Sequence, residues 1–367
     1  MQKLISSLVL ACALVAGGGI PALAAPHPTQ CNTAILKMKE VQYWSGPRSA
    51  PAGAWRCTGT HCAEFGWLYY PNRKDVYSLP AIVFNPGSGQ LKGERAFCAI
   101  AEFFTQQGYA VFVPLRRGYA ATNGDFASTG FYFSDYQDLC VANLQCLVPD
   151  GAGGCAKCES GLCASACTDE ARQLKLVEDL QSETAEVQAA FTYLKNAPSV
   201  RPPGTKPDPA KAFLVNPNLI AVMGHSFGGI VSLFNNALDS RPTAVVDISG
   251  DALSWGGNPA LDTSLETAVQ GGRKPLFCFQ PRNEIHIQPT QRFSQVALDN
   301  GQRTQAALFP PSIPKHADGT LCTSQEIADQ SEDCAADDVH INFVIDPGQV
   351  AHWGPAVLAF VRLYGGS

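Results

Sequence analysis

No block of basic residues interrupts this chain, and its 26 Lys and Arg against 32 Asp and Glu leave a net charge of −6. That balance argues against a nucleic-acid partner and leaves the charge of a small substrate open. Beyond the first 24 residues there is no apolar run long enough to span a bilayer. Internal repeats are absent too, which removes solenoid architectures.

What is present begins with an export signature. Lys3 precedes an apolar core at residues 4–16, followed by the small-residue site Ala22-Leu23-Ala24. Residues 1–24 are therefore expected to be a signal peptide and the protein to be secreted or periplasmic. Val9-Leu10-Ala11-Cys12 faintly resembles a lipoprotein cleavage site, but the apolar stretch before the cysteine is short for one, so soluble export is preferred. Residues 25–367 are enough for one α/β domain with insertions.

Cysteine is abundant: fourteen in all, thirteen once Cys12 leaves with the signal. With export this reads as a disulfide-bearing chain with one thiol left over. Cys278, inside the apolar run Leu276-Phe277-Cys278-Phe279, is the candidate buried free thiol, and Cys57 with Cys62 and Cys322 with Cys334 are candidate local bridges. The densest group, Cys140, Cys146, Cys155, Cys158, Cys163 and Cys167, marks an insertion at residues 140–167. Its Cys-x-x-Cys spacing also suits tetrahedral zinc, but an oxidising compartment favours cystines.

Elsewhere strand-like and helix-like segments alternate. Strands are expected at residues 64–70, 80–85, 109–114, 219–223, 244–248, 275–279 and 305–309, and helices at 92–107, 168–197, 290–298 and 355–364. Such alternation implies an α/β fold with a mostly parallel central sheet and helices on both faces. Reactive groups then belong beyond the carboxyl ends of the strands.

One stretch at such a strand end carries chemistry. In Gly224-His225-Ser226-Phe227-Gly228-Gly229 a β-leaning run meets a serine with glycine two residues to either side, and a helix-like segment follows. Strand, sharp turn and helix in that order raise a hydroxyl above a sheet, and the glycines let the two elements pack closely. The helix opening at Phe227 aims its positive end at the serine, where a backbone amide can hold an oxyanion. A serine hydroxyl needs a base, and the base needs an orienting acid; in this arrangement they follow in the order Ser, acid, His. Glu284, Asp251 and Asp247 stand at strand ends as acids, and His340, His352 and His316 follow as bases. Asp247 falls within a strand and reads as structural; His225 reads as a packing residue of the turn.

The stretch from about residue 65 onward resembles the dienelactone-hydrolase-like branch of the α/β-hydrolase superfamily. The resemblance is carried by Asn85-Pro86-Gly87-Ser88-Gly89, Leu115-Arg116-Arg117-Gly118-Tyr119, the serine turn, Phe279-Gln280-Pro281-Arg282-Asn283-Glu284, His340-Ile341-Asn342-Phe343 and a tail beginning Trp353-Gly354. It implies the α/β-hydrolase fold, with Ser226 as nucleophile, Glu284 as acid and His340 as base. Two details depart from the branch: Asp is commoner than Glu at position 284, and Gly is common where Val339 stands. The oxyanion hole is expected from the backbone amides of Ser88 and Phe227. The activity expected is hydrolysis of a small-molecule carboxylic ester through an acyl-enzyme, with no cofactor and no metal; an exopeptidase or amidase, or a non-catalytic module of the same shape, is the alternative. The insertion is expected to cap the catalytic face.

Overall fold

The computed structural model describes residues 31–45, 57–58, 61–73, 76–87, 97–115, 174, 176–178, 180–181, 183–196, 214–314, 316, 320–323, 325–326, 334 and 336–365. The signal segment, Ser88, Arg116, Arg117 and the insertion at 140–167 lie outside the described residues.

Nine strands form one sheet among these residues: β1 (Leu36–Ser45), β2 (Cys57–Thr58), β3 (His61–Pro71), β4 (Leu79–Asn85), β5 (Ala110–Leu115), β6 (Val215–His225), β7 (Val245–Ile248), β8 (Leu276–Pro281) and β9 (Thr304–Phe309). Their order is β1-β3-β5-β4-β6-β7-β8-β9, with β2 paired to β3. From β5 to β9 every pairing is parallel, while β3 runs antiparallel to both β1 and β5. The mostly parallel sheet expected from the alternation is thus present. Cys57 stands opposite Cys62 in the β2–β3 register.

The central strands are apolar on both faces because both faces are covered. In β4, Ala81 and Val83 join one buried cluster and Ile82 and Phe84 the other. On the first side pack helices α2 (Thr184–Asn196), α3 (Phe227–Leu238), α4 (Pro259–Gln270) and α5 (Gln288–Asp299). Helices α1 (Cys98–Gln106), α6 (Ala336–Ile345) and α7 (Pro347–Gly365) cover the second. The stripe Leu176, Leu180, Val187, Phe191 and Leu194 is buried as core packing requires. Helix α1 ends where expected, at Gly108, whose φ of +85° few other residues adopt.

Several elements differ from the sequence expectation, among them strand β2 and helix α6, neither of which was foreseen. Strand β1 was not foreseen either. Helix α4 fills what reads as a Gly/Ser/Asn-rich loop, yet it carries its own start signal: Asn258 accepts from the Leu261 amide at 3.0 Å, with Pro259 in the first turn. The last helix begins at Pro347 rather than 355, capped by Asp346, which accepts from the Gln349 amide at 3.0 Å, and Pro355 is accommodated inside it.

Disulfides join Cys31 to Cys98 and Cys322 to Cys334, and Cys278 is a buried free thiol. The expected Cys322–Cys334 bridge and the expected free cysteine are both present; the Cys31–Cys98 bridge was not anticipated. Among the described residues no helix is long and apolar enough to cross a membrane.

The chain leaves β4 toward β5 on one side and returns to β6 on the other, so the order of strands reverses at β4 and β6. A crevice outside the carboxyl ends of the strands at such a reversal is where open α/β sheets bind ligands. Asn85 ends β4 there and Ser226 follows β6.

Candidate active site

Ser226 sits between β6 and α3 with φ 57° and ψ −129°. That conformation costs an L-residue on the order of 1–3 kcal/mol and persists only where its surroundings enforce it. The enforcement is steric. A Cβ on Gly224 would lie 2.0 Å from the Gly228 carbonyl oxygen, and one on Gly228 would lie 2.0 Å from the Asn85 carbonyl oxygen. Strand, turn and helix are therefore in backbone contact that only glycine permits. Beneath them the buried Asn85 amide donates to Ser232 Oγ at 2.9 Å, and that hydroxyl donates to the Gly228 carbonyl at 2.8 Å. The Ser226 amide donates to Ile248 at 2.9 Å, pinning the turn to β7, while its side chain makes no capping bond to α3. Gly87 lies close as well: a Cβ there would be 2.9 Å from Ser226 Cβ.

Glu284 and His340 come together although 56 residues separate them. His340 Nδ1 is 2.9 Å from Glu284 Oε2, with the two side chains 3% and 0% exposed. An Nδ1–H donated to a carboxylate fixes the imidazole tautomer and leaves Nε2 as the basic nitrogen. That Nε2 is buried and makes no hydrogen bond. The His340 ring packs against that of His225, the residue before Ser226, tilted at 37° with 4.3 Å between centroids. His225 is itself buried, and burial first, then the neighbouring His340, hold its imidazole well below its usual titration range. It is neutral at neutral pH, and packs against the would-be base as well as the turn.

The other candidates are elsewhere. Asp251 receives the Ser254 hydroxyl and faces Asp262; burial, helped by that second carboxyl, pushes it up to about 8. Asp247 lies inside β7 with its Oδ1 accepting from the Gly250 amide at 3.0 Å, and burial pushes it up to about 7. His352 is on the exposed side of α7. His316 pairs with Glu326 at 3.3 Å. Phe227 opens α3 directly after Ser226. Sequence reasoning expected His340 in a loop; it lies on α6.

Among the described residues, the one cluster with metal-ligand chemistry is His316, Cys322 and Cys334. Its two sulfurs are bonded to each other, which leaves a single imidazole.

Strand order, a reversed β3, and a strained serine on a strand-turn-helix at the sheet's switch point together constitute the α/β-hydrolase fold. No family model matches the sequence, and no curated protein matches it. Solved structures resemble it at low identity. Against acylaminoacyl peptidase from Pyrococcus horikoshii the TM-score is 0.43 at 13% identity, over 75% of this chain and 37% of that one. The chain thus spans little more than a third of that protein. A dienelactone hydrolase-like promiscuous phosphotriesterase from metagenomic libraries gives 0.48 at 12% identity, covering 90% of this chain and 99% of that one. The esterase Est22 gives 0.46 at 12%, covering 90% and 81%. At these identities the likeness carries nothing about chemistry.

Proposed function

We propose that this chain is an exported serine hydrolase of the dienelactone-hydrolase-like kind that cleaves carboxylic esters of small molecules through an acyl-enzyme. The observation supporting it is the coincidence of a strained serine turn with a buried Glu284–His340 hydrogen bond of 2.9 Å whose imidazole packs against the serine's own neighbour.

In this reading Ser226 Oγ attacks the acyl carbon while His340 Nε2 takes the hydroxyl proton. The carbonyl oxygen becomes an oxyanion, held by the backbone amides of Phe227 and Ser88. Glu284 stays ionised, orients the imidazole through Nδ1 and stabilises the imidazolium. Collapse expels the alcohol, which receives the proton from Nε2. Water then attacks the acyl-enzyme, giving up its proton to Nε2, and Ser226 recovers one as the acid departs. The bond between Ser226 and His340 is made when substrate arrives, as hydrogen bonds in empty active sites commonly tighten only then. Nothing in this sequence of steps calls for a cofactor. The two disulfides among the described residues fit an oxidising compartment.

A panel of p-nitrophenyl esters set against amino-acid anilides, with Ser226→Ala as blank, tests the reading. Ester turnover lost in the blank is expected. Anilide turnover without ester turnover would make the protein an exopeptidase or amidase, and turnover of neither would make it a non-catalytic module of this shape.

A further inference from the structure

The acid and the base belong to separate elements, and the sheet does not hold them together. The β8–β9 ladder ends at Pro281 opposite Phe309, before Glu284, and His340 is on α6, reached by a long polar segment. Yet a hydrogen bond between two side chains demands placement of both backbones to within a fraction of an ångström. Two asparagines beside the pair supply it. Asn283, next to Glu284, grips the backbone of Ser312 at two points: its Nδ2 donates to the Ser312 carbonyl at 2.7 Å, and its Oδ1 accepts from the Ser312 amide at 2.8 Å. Asn342, two residues beyond His340, donates from Nδ2 to the Ile313 carbonyl at 3.0 Å and lies 3.5 Å from Ser312 Oγ. Ser312 is fully buried and Asn342 nearly so, which makes an unmet partner there costly.

We infer that Asn283 and Asn342 are positioning residues that fasten the turn bearing Glu284 and the helix bearing His340 to the same two-residue segment, Ser312 and Ile313. The inference rests on Glu284 and His340 being acid and base. The links act in series: turn to segment, segment to helix. Cutting either one frees the acid from the base, and cutting both frees them no further. Only a side-chain amide both donates to and accepts from one backbone residue in the way Asn283 does, so an aspartate there keeps the acceptor and loses the donor.

The test is a double-mutant cycle on p-nitrophenyl acetate hydrolysis with Asn283→Ala, Asn342→Ala and the pair. Each single variant is expected to lower kcat about 10- to 100-fold, the scale on which a displacement near 1 Å acts, with KM within about twofold of the parent. The pair is expected to be no slower than the slower single variant, and the downfield proton resonance of His340 Nδ1–H to be lost in all three. Losses that multiply, or singles that keep both kcat and the resonance, would overturn the inference. Should an alanine variant not fold, Asn283→Asp and Asn342→Asp, which keep the volume and remove the donor, carry the same prediction. His340→Ala separates the two levels. Undiminished turnover in it defeats the reading of the site, whereas an inactive His340→Ala alongside fully active asparagine variants defeats this inference alone.

Discussion

Asp247 is a carboxyl with nowhere to put a charge. It lies in β7 opposite Cys278, fully buried. A Cβ on Gly229 or Gly250 would lie 2.3 or 2.2 Å from its Oδ1, so backbone packs against it with no space for solvent. Burial outweighs the hydrogen bonds it accepts and moves its titration from 3.8 to about 7. The sign follows from proton counts. Between those two values the folded chain holds a proton that the unfolded chain has released, so stability falls as pH rises across the window and levels off above it. The whole shift amounts to about 4 kcal/mol, of which roughly 2–3 kcal/mol accrues between pH 5 and pH 8. The substitution Asp247→Asn would imitate the protonated acid, keep the Gly250 hydrogen bond and remove the slope. Thermal melts of that variant and the parent at pH 5 and pH 8 should show the variant gaining on the parent as pH rises, by about 3–4 °C for a chain of this size. Asp251 is raised mainly by its own burial and by Asp262, with Asp247 the smallest of the causes, so most of its titration is common to both proteins and drops out of the difference. A gap that stays constant with pH, or a variant less stable than the parent at pH 8, would refute the reasoning.

Other consequences are simpler to check. Gly228→Ala puts a methyl 2.0 Å from the Asn85 carbonyl oxygen and should cost about 1–3 kcal/mol in denaturant unfolding together with most of the ester turnover. His352→Ala, altering an exposed position on α7, should leave kcat/KM unchanged, while His340→Ala should lower it by about 10³-fold or more. Cys278, buried and with its thiol pushed up by burial and by Asp247, should resist alkylation in the native protein and react once it is unfolded, as read by peptide mapping.

The sheet was legible wherever the strands are buried on both faces, because continuous apolar runs such as Ala221-Val222-Met223 and Leu276-Phe277-Cys278-Phe279 have few other uses in a chain that alternates with helices. Strand β1 was not: Leu36-Lys37-Met38-Lys39-Glu40 mixes charge with apolar residues, as an edge strand does, and only pairing with β3 makes it a strand. Helix α4 was hidden because the glycines preceding it masked the Asn258-Pro259 start. At the site, the serine turn declared itself through its glycines. The partnership of Glu284 with His340 did not follow from spacing, since position alone favoured His352, just before the expected last helix; resemblance of motifs favoured His340. The packing of His225 against His340 and the asparagine links had no signal in the linear order, because each joins groups at least 29 residues apart that meet only in the folded chain.

The most direct measurement treats the purified protein with a fluorophosphonate and locates the adduct by peptide mass mapping. The account predicts a single adduct on Ser226, formed far more slowly in His340→Ala and absent in Ser226→Ala. A folded protein that takes up no label at Ser226, or labels there as fast without His340 as with it, would contradict it.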